Sequence, residues 1–296
     1  MSVDNEEAGP NRLFLVPVPL GNVGDLAPRS RVILRSVPVL FCEDTRTTSR
    51  LIAKLELGSP SLVALHDHNE RQRVRVVLDR LEQGDVGLVS EAGTPVLSDP
   101  GFLAVRAAIE AGYRVVSVPG PSAAVAAVVG SGLPVDRFLF AGFPPRQGGK
   151  RRAWLQPLAS LRATLVFYEA PRRILGLLGD LGTVLGERPC ALAINLSKKG
   201  ERFVRGDLGT VAASLESQDE IRGEMTLVVG GFEGSDDAGD WDRADAVIAG
   251  LLAAGTPAGA VRDAVCVALD LPRREVYQRV LGAREATAAA TPPDPA

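Results

Sequence analysis

The sequence predicts an α/β protein with a parallel-sheet N-terminal domain, a mixed α/β second domain and a small C-terminal helical unit. Three observations support this prediction. Short apolar runs alternate with helical patterns up to residue 119, more closely spaced runs follow, and residues 243–285 carry only helical spacing. The length of 296 residues also fits roughly two domains of ordinary size.

The first series of apolar runs predicts five parallel strands. Strands that alternate with helices form βαβ units, and nearly continuous apolarity indicates that both faces of the sheet are covered. The runs are LFLVPV (13–18), VPVLFC (37–42), SLVAL (61–65), VGLVS (86–90) and RVVSVP (114–119). We assign residues 12–134 to this N-terminal α/β domain.

The second series predicts a mixed sheet in residues 135–232. Its runs lie closer together along the chain, and a hairpin is expected around Lys199–Glu201. The runs are RFLFAGF (137–143), ATLVFYEA (163–170), CALAINLS (190–197), RFVRGD (202–207) and EMTLVVGG (224–231).

The C-terminal part predicts a linker, a three-helix unit and a tail. Residues 233–242 are polar and rich in glycine and aspartate, which is typical of a linker. Residues 243–285 show helical spacing, and DLPRREVYQR (270–279) resembles a helix-turn-helix, although a packing or dimerisation unit fits equally well. Low complexity predicts disordered tails at 1–11 and 286–296.

The composition is that of a globular protein without secretion or membrane signals. Hydrophobic residues make up 46% of the chain, its N-terminus lacks a signal-peptide pattern, and no apolar run could span a membrane. We therefore expect a cytoplasmic protein. A net charge of −3 excludes a globally basic nucleic-acid binder, though not local basic surfaces. The three cysteines are far apart and are expected to be free thiols.

Two turns rich in glycine, proline and small residues are the most informative motifs. SEAGTPVLSDPG (90–101) and VPGPSA (118–123) each follow an apolar run and precede a helical pattern. Such turns leave backbone N–H and C=O groups free, and their lack of bulk lets a ligand come close. Two of them at strand ends predict a small-molecule pocket.

Signatures of several common chemistries are missing from the sequence. It contains no P-loop, no GxGxxG after the first strand, no HExxH and no GxSxG. His66-Asp67-His68 with Glu70 could suggest a metal site, but no further Cys/His cluster supports one. We therefore expect polar groups at a strand end and no bound metal.

Polar clusters follow four of the predicted parallel strands. Ligands of such sheets bind at the carboxyl ends of the strands, so four clusters there predict a functional cleft. Helix capping is the alternative for any one of them, for example for Asp44. The clusters are VPVPLGNVGD (16–25), FCEDTRTTSR (41–50), LHDHNE (65–70) and VSEAGTP (89–95).

Taken together, these motifs resemble the tetrapyrrole methylase family of S-adenosylmethionine-dependent methyltransferases. The resemblance runs from about Leu13 to Leu281, and it implies a V-shaped two-domain fold, a methyl donor in the cleft and a homodimer. The matching motifs are PLGNVGD (19–25), CEDTRTTSRL (42–51), HDHNE (66–70), SEAGTPVLSDPG (90–101), VPGPSA (118–123), FAGFPPR (140–146), FYEAPRR (167–173) and LPRREVYQR (271–279).

The resemblance also implies which residues contact the donor, S-adenosylmethionine. Most of these contacts would be made by backbone groups, which fits a pocket composed of small residues. The implied residues are Pro19, Gly21, Gly93, Thr94, Pro95, Ser122, Ala123, Tyr168, Glu169, Leu196, Ser197, Met225 and Thr226.

Within the family, the motifs are most similar to members that modify ribosomal RNA. This similarity implies methylation of a cytidine ribose 2′-oxygen in the decoding region of 16S rRNA, in the small ribosomal subunit. A carboxylate could accept the hydroxyl proton, and the candidates are Glu43, Asp44 and Glu169. Asn22 and Arg46 would hold the nucleotide or its phosphate.

An RNA substrate requires a cationic surface, which basic residues of the second domain could supply. Phosphate contacts from these residues would give salt-sensitive binding, whereas a solvated charged face is the alternative. The residues are Arg146, Lys150, Arg151, Arg152, Arg172, Arg173, Lys198 and Lys199.

Two other functions remain open at this stage. A methyltransferase acting on a tetrapyrrole or other small molecule fits the family, although the basic residues argue against it. An inactive RNA-binding or assembly protein is the second alternative, because Ile194-Asn195 stands where the family usually has Arg-Glu. The intact glycine-rich turns argue against this second alternative.

Overall fold

The computed structural model describes residues 11–233, 236–269 and 271–289. Contacts divide the chain into two compact units, residues 1–232 and 233–296. Within the described ranges, no helix is both long and apolar enough to cross a membrane.

The first half of the larger unit is a five-stranded parallel sheet, as predicted. Its strand order is β3-β2-β4-β1-β5. Its elements are β1 (Arg12–Leu15), α1 (Pro28–Ser36), β2 (Val39–Cys42), α2 (Thr45–Leu55), β3 (Ser61–Ala64), α3 (Glu70–Leu81), β4 (Val86–Leu88), α4 (Phe102–Glu110) and β5 (Arg114–Ser117). Because all five strands are parallel, the loops that follow them meet at one edge of the sheet.

The second half is the predicted mixed sheet, with strand order β6-β7-β10-β8-β9. Only β6 and β7 pair in parallel; the other pairs are antiparallel, and the expected hairpin joins β8 to β9. Its elements are β6 (Phe138–Gly142), α6 (Gly148–Leu155), β7 (Thr164–Glu169), α7 (Pro171–Leu185), β8 (Pro189–Ile194), β9 (Arg202–Asp207), α8 (Leu208–Glu216) and β10 (Met225–Val229).

The two halves meet at the helix α5 (Ala123–Ser131). Sequence placed this helix in the N-terminal domain, with a boundary at residues 134/135. Its Ala124, Ala127 and Val128 instead pack against Val166 and Val228 of the second sheet. The chain therefore passes from one layer to the next at the VPGPSA turn. A helix made almost entirely of alanine and valine carries no pattern that assigns it to either sheet.

The smaller unit contains three helices, as predicted: α9 (Asp236–Ala253), α10 (Ala258–Leu269) and α11 (Arg273–Ala289). Most of the segment predicted as a linker, 233–242, is helical instead, because α9 begins at Asp236. The Trp241 side chain is buried among Ile248, Val261 and Val276. Of the expected tails, residues 1–10 and 290–296 lie outside the described residues, whereas 286–289 belong to α11.

Candidate active site

A cavity of about 440 Å³ lies between the carboxyl edge of the parallel sheet and the second sheet. Loops after β1, β2 and β4 contribute Leu20, Glu43, Glu91, Ala92, Gly93, Thr94, Leu97, Ser98 and Asp99. The opposite wall consists of Ser122, Ala123, Phe143, Tyr168, Glu169, Ala170, Pro171, Leu196, Gly223, Glu224, Met225 and Thr226. Both glycine-rich turns are therefore part of one cavity.

A direct hydrogen bond joins the two turns, and the first turn is also hydrogen-bonded to the loop after β1. The hydroxyl group of Thr94 donates to the Pro121 carbonyl oxygen at 2.8 Å, and Gly93 exchanges backbone hydrogen bonds of 2.9 and 3.0 Å with Val18. Gly93 has a φ of +75°, and a Cβ atom at Gly120 would lie 2.6 Å from the Pro17 side chain. The first turn therefore needs glycine for its backbone conformation, and the second needs glycine for its close approach to Pro17.

The start of α5 presents an unused polar group to the cavity. Ser122 occupies the N-cap position, yet its side chain makes no capping bond, and its buried hydroxyl oxygen has no hydrogen-bond partner. The Ala124 N–H group donates instead to the Tyr168 phenol oxygen at 3.1 Å. Because a buried hydroxyl group without a partner is unfavourable, Ser122 is suited to bind a ligand.

Carboxylates line the wall that the loops of the parallel sheet form, across the cavity from Ser122. Burial and the charges of Glu43, Glu91 and Asp67 raise the pKa of Asp99 to about 6, although a hydrogen bond with Ser90 lowers it. Burial also raises the pKa of Glu43, as do the charges of Glu91 and Asp67. Such perturbed carboxyl groups in a cleft are typical of functional sites.

The loop that carries Asp99 has an unusual backbone. Val96 and Ser98 have φ values of +73° and +66°, in the left-handed region that branched and bulky residues avoid. Glu70 holds the end of the loop by accepting hydrogen bonds from the N–H groups of Gly101 at 2.9 Å and Leu103 at 2.8 Å. Glu70 thus positions this loop. Within the described ranges, no group of three His, Cys, Asp or Glu side chains could hold a metal ion.

Residues 12–212 match the family model for Tetrapyrrole (Corrin/Porphyrin) Methylases. A ribosomal RNA small subunit methyltransferase I from Micromonospora olivasterospora is 46% identical over 281 residues, covering 95% of this chain and 90% of the relative. The Escherichia coli O157:H7 protein of that name is 40% identical, covering 80% and 82%.

The chain belongs to the ribosomal RNA small subunit methyltransferase I family of tetrapyrrole methylases. Solved structures share the fold at lower identity. Uroporphyrin-III C-methyl transferase from Thermus thermophilus, complexed with S-adenyl homocysteine, is 23% identical with a TM-score of 0.52, covering 74% of this chain and 97% of that one. Diphthine synthase gives a TM-score of 0.56 at 16% identity, covering 75% and 90%.

Most of the donor contacts expected for this tetrapyrrole methylase line the cavity, and four do not. Gly21 and Ser197 line a more open depression of about 690 Å³ beside it, together with Asn22, Lys198 and Lys199. Leu20 lines both spaces. The lining residues of the cavity also do not include Pro19 and Pro95. Those brought together in the cavity are Gly93, Thr94, Ser122, Ala123, Tyr168, Glu169, Leu196, Met225 and Thr226.

The expected proton acceptors have different surroundings in this methyltransferase I family member. Glu43 lines the cavity. Asp44 is absent from its lining residues, and its carboxylate caps α2 by accepting a 2.7 Å hydrogen bond from the Arg46 N–H. Glu169 is buried beside Arg173, whose Nη2 lies 2.9 Å from Oε2. Asp99 was not among the expected acceptors, although the SDPG sequence could have indicated it.

The residues expected to hold the nucleotide lie outside the cavity lining of this methylase. The Asn22 side chain accepts a hydrogen bond from the Gly24 N–H at 3.0 Å, and its backbone N–H donates to the Ser197 hydroxyl oxygen at 3.2 Å. Arg46 is exposed on α2. Asn22 thus lies in the depression beside the cavity, and Arg46 lies on the exposed surface of α2.

Two of the residues that were expected to bind RNA, Arg151 and Arg173, are instead largely buried. The Arg151 guanidinium is buried, with Nε donating to Asp180 at 2.7 Å and Nη2 to the Gly176 carbonyl oxygen at 2.8 Å. Arg173 is largely buried between Glu169 and the Pro144 carbonyl oxygen. Their charges serve internal packing rather than phosphate binding. Lys198 is half-buried beside Glu224, whereas the exposed members are Arg146, Lys150, Arg152, Arg172 and Lys199.

Proposed function

We propose that the protein methylates the 2′-hydroxyl of a cytidine ribose in the decoding region of 16S rRNA, with S-adenosylmethionine as methyl donor. The observation that carries the proposal is a single cavity that is lined by both glycine-rich turns and by the carboxylates Glu43, Glu91 and Asp99. The relatives bear the name ribosomal RNA small subunit methyltransferase I, which supports the small ribosomal subunit as substrate.

The cavity residues fit the donor. The partnerless Ser122 hydroxyl and the Thr226 side chain offer polar contacts, and Leu196 and Met225 offer apolar ones. The volume of about 440 Å³ lies in the usual range for small-molecule sites. When bound, the donor supplies a methyl group on a positively charged sulfur, which is already a strong electrophile. The protein then has to align the ribose oxygen and to accept its proton, and alignment alone removes much of the entropic barrier.

Exposed basic residues of the second half would hold the RNA. Arg172 immediately follows Pro171, which lines the cavity, and Lys199 lines the adjoining depression. Phosphate contacts from such side chains position the substrate without reading its sequence. The proposed surface consists of Arg146, Lys150, Arg152, Arg172 and Lys199.

We also propose that the protein acts in the cytoplasm, where its ribosomal substrate is found, as a homodimer. The edge strand β6 supports self-association, because Phe138 and Leu139 are exposed on it. Exposed apolar side chains on an edge strand, which has one free edge for pairing, mark an interaction surface. Sedimentation equilibrium should give twice the chain mass; a monomer at micromolar concentration would contradict this part of the proposal.

Transfer of tritium from labelled donor to purified small ribosomal subunits tests the activity. We expect label at a single cytidine of 16S rRNA, resistant to alkaline cleavage because the 2′-oxygen is blocked. Label transferred only to a tetrapyrrole would support the small-molecule alternative, and donor binding without any transfer would contradict both. Failure to bind the donor in calorimetry would support the inactive-protein alternative.

A further inference from the structure

The loop between β4 and α4 brings an additional carboxylate to the site. We propose that Asp99 accepts the proton of the ribose 2′-hydroxyl and that Glu43 tunes Asp99 for this task. The inference rests on the proposed function, since it assigns a role within that reaction. Asp99 and Glu43 line the same cavity as Ser122 and Tyr168.

The geometry of the loop holds Asp99 in place. The left-handed backbone at Val96 and Ser98 is unfavourable, and such strain persists only where the surroundings enforce it. Glu70 supplies part of that constraint through its two hydrogen bonds to the backbone of Gly101 and Leu103. A carboxylate on a fixed loop is pre-positioned for a substrate that enters the cavity.

The other carboxylates nearby are occupied or less suited. The Asp44 carboxylate is used by the cap of α2, and the Glu169 carboxylate by Arg173 and the Ala170 N–H. Of the other carboxylates that line the cavity, Glu224 is paired with Lys198 and Glu91 is exposed, which leaves Glu43 and Asp99. Burial and neighbouring charge give Asp99 a pKa of about 6, close to the working pH, which favours efficient general-base catalysis.

The proton and electron balance of the step is simple. The 2′-oxygen forms a bond to the methyl carbon, and the electron pair of the broken carbon–sulfur bond remains on the sulfur of the neutral thioether. The hydroxyl proton passes to the Asp99 carboxylate. Asp99 then releases the proton to water after the product leaves.

The charges that act on Asp99 come from several elements. Glu43 follows β2, Glu91 follows β4 and Asp67 follows β3, and all three raise the pKa of Asp99. The Ser90 hydroxyl lowers it, and Tyr168 faces Asp99 from β7. Because Glu43 makes the largest charge contribution, removing its charge should lower the pKa of Asp99 more than removing that of Asp67.

Three variants test the assignment: Asp99→Asn, Glu43→Gln and, as a matched control, Asp67→Asn. Single-turnover methyl transfer to small subunits is measured from pH 5 to 8.5, together with donor affinity by calorimetry. Carboxyl ¹³C NMR of labelled aspartate titrates Asp99 directly. We expect Asp99→Asn to lose roughly 10²–10⁴-fold in rate with donor affinity unchanged. Glu43→Gln should move the acid limb and the NMR titration down by about half a pH unit, and Asp67→Asn by less.

Several results would overturn the assignment. An unchanged rate in Asp99→Asn shows that the proton goes elsewhere, and a parallel loss of donor affinity shows that Asp99 holds the donor instead. An Asp99 titration that does not respond to Glu43→Gln removes the tuning role. Wild-type protein that methylates no ribosomal RNA contradicts the proposed function itself, which distinguishes that failure from the failure of the base assignment.

A separate observation concerns the exposed face of α2. Arg46, Arg50 and Lys54 are four residues apart, so they share one face, and all three side chains are exposed. None of the three side chains has an ion pair among the described residues, and α2 contains no acidic residue. Like charges at this spacing and a cation in the first turn both destabilise a helix. Helix stability therefore does not explain why these three cations share one face of α2.

We infer that this face binds the RNA backbone next to the target nucleotide. Helix α2 begins two residues after Glu43, which lines the cavity, so the cations continue outward from the site. Successive cations are about 6 Å apart along the axis, a spacing that suits a phosphate backbone. The N-terminal half would thus contribute to RNA binding as well as the second half.

The double variant Arg50→Gln/Lys54→Gln tests this surface. Its control is Arg75→Gln/Arg106→Gln, which removes two cations that are already paired with Asp79 and Glu110, each at 2.7 Å. Binding to small subunits is measured over a range of salt concentrations. We expect the magnitude of the slope of log affinity against log salt to fall by about 1.4–1.8 for the test variant only, with donor affinity unchanged. Equal slopes in test and control would overturn the inference, whereas absent salt-dependent binding of wild type would contradict the proposed function.

Discussion

The phenol oxygen of Tyr168 accepts a 3.1 Å hydrogen bond from the backbone N–H of Ala124. Ala124 lies in the first turn of α5, where N–H groups have no partner within the helix. The side chain of the N-cap residue Ser122 makes no hydrogen bond to this N–H. Tyr168, which lies on β7, caps the helix in its place. The bond fixes the VPGPSA turn against the second sheet, and the buried Ser122 hydroxyl keeps no hydrogen-bond partner among the described residues.

Replacing Tyr168 by phenylalanine should therefore weaken donor binding. We expect a loss of about 1 kcal/mol in the free energy of unfolding and a decrease of about fivefold in donor affinity, because one buried N–H loses its partner. Calorimetric titration measures the affinity and urea unfolding the stability. Tyr113→Phe removes a phenol group outside the cavity and is the control. Unchanged donor affinity in Tyr168→Phe would show that the turn is held without this bond.

Asn195 has a structural task that explains its presence at the end of β8. Its φ is +57°, its Oδ1 accepts a hydrogen bond from the Glu224 N–H at 3.1 Å, and its own N–H donates to the Glu224 carbonyl oxygen at 2.9 Å. Asparagine tolerates this backbone conformation better than most residues. The Ile194-Asn195 sequence thus joins β8 to β10 beside the cavity, and it is compatible with an intact site.

We predict graded losses of stability at this position. Asn195→Ala should lower the free energy of unfolding by about 2–3 kcal/mol, since it removes the side-chain bond and retains a Cβ at positive φ. Asn195→Gly should lose only about 1 kcal/mol, because glycine accepts the backbone conformation. Chemical denaturation of the three proteins tests this order. A glycine variant less stable than the alanine variant would contradict the argument.

The strands and the main turns could be predicted from sequence because their signals are local. Each of the ten predicted apolar runs overlaps a strand, and the Gly93 turn lies beside the VPGPSA turn as expected. Contacts between residues that are far apart in the sequence had no such local signal. The buried pairing of Arg151 with Asp180 joins residues 29 positions apart, so the sequence showed only a basic cluster. Likewise, the raised pKa of Asp99 depends on burial and on the charges of Glu43 and Asp67, which only the parallel strand order brings close.

The buried ion pair of Arg151 and Asp180 should stabilise the fold and should take no part in RNA binding. Burial raises the pKa of Asp180, but hydrogen bonds and charges from Arg152 and Arg151 outweigh it and give a net lowering. Asp180→Ala should lower the free energy of unfolding by about 3–5 kcal/mol, because the Arg151 charge stays buried without a partner. Since a lowered carboxyl pKa stabilises the fold only while the group is ionised, this contribution is lost as the pH falls below the normal aspartate range.

Lys150, which precedes Arg151 in the sequence and is exposed, should affect RNA binding and not the stability of the fold. Lys150→Gln should leave the free energy of unfolding within about 0.5 kcal/mol of wild type and weaken binding to small subunits at low salt. Thermal unfolding and a salt-dependent binding assay measure the two effects. Wild-type stability of Asp180→Ala would contradict the ion-pair argument. It would show that the charge of Arg151 is not buried in solution, and Arg151 would again be a candidate for RNA binding.

Asp99 should lower the stability of the fold at neutral pH. Its pKa in the folded protein, about 6, is above the ordinary aspartate value of 3.8. Between these values the folded state keeps a proton that the unfolded chain has lost. The free energy of unfolding therefore decreases as the pH rises from about 4 to 6, and the deficit stays constant at higher pH.

Asp99→Asn should remove this deficit, so the variant should be more stable than wild type at pH 7.5. We expect a gain of about 1–2 kcal/mol, reduced from the full shift because Asp99 is partly solvated. Below about pH 3, where Asp99 is mostly protonated in both the folded and the unfolded state, the gain should vanish. Thermal unfolding of both proteins across this pH range measures the difference. A gain that is independent of pH would point to packing or loop strain instead, and a loss of stability at pH 7.5 would contradict a desolvated carboxylate in the cavity.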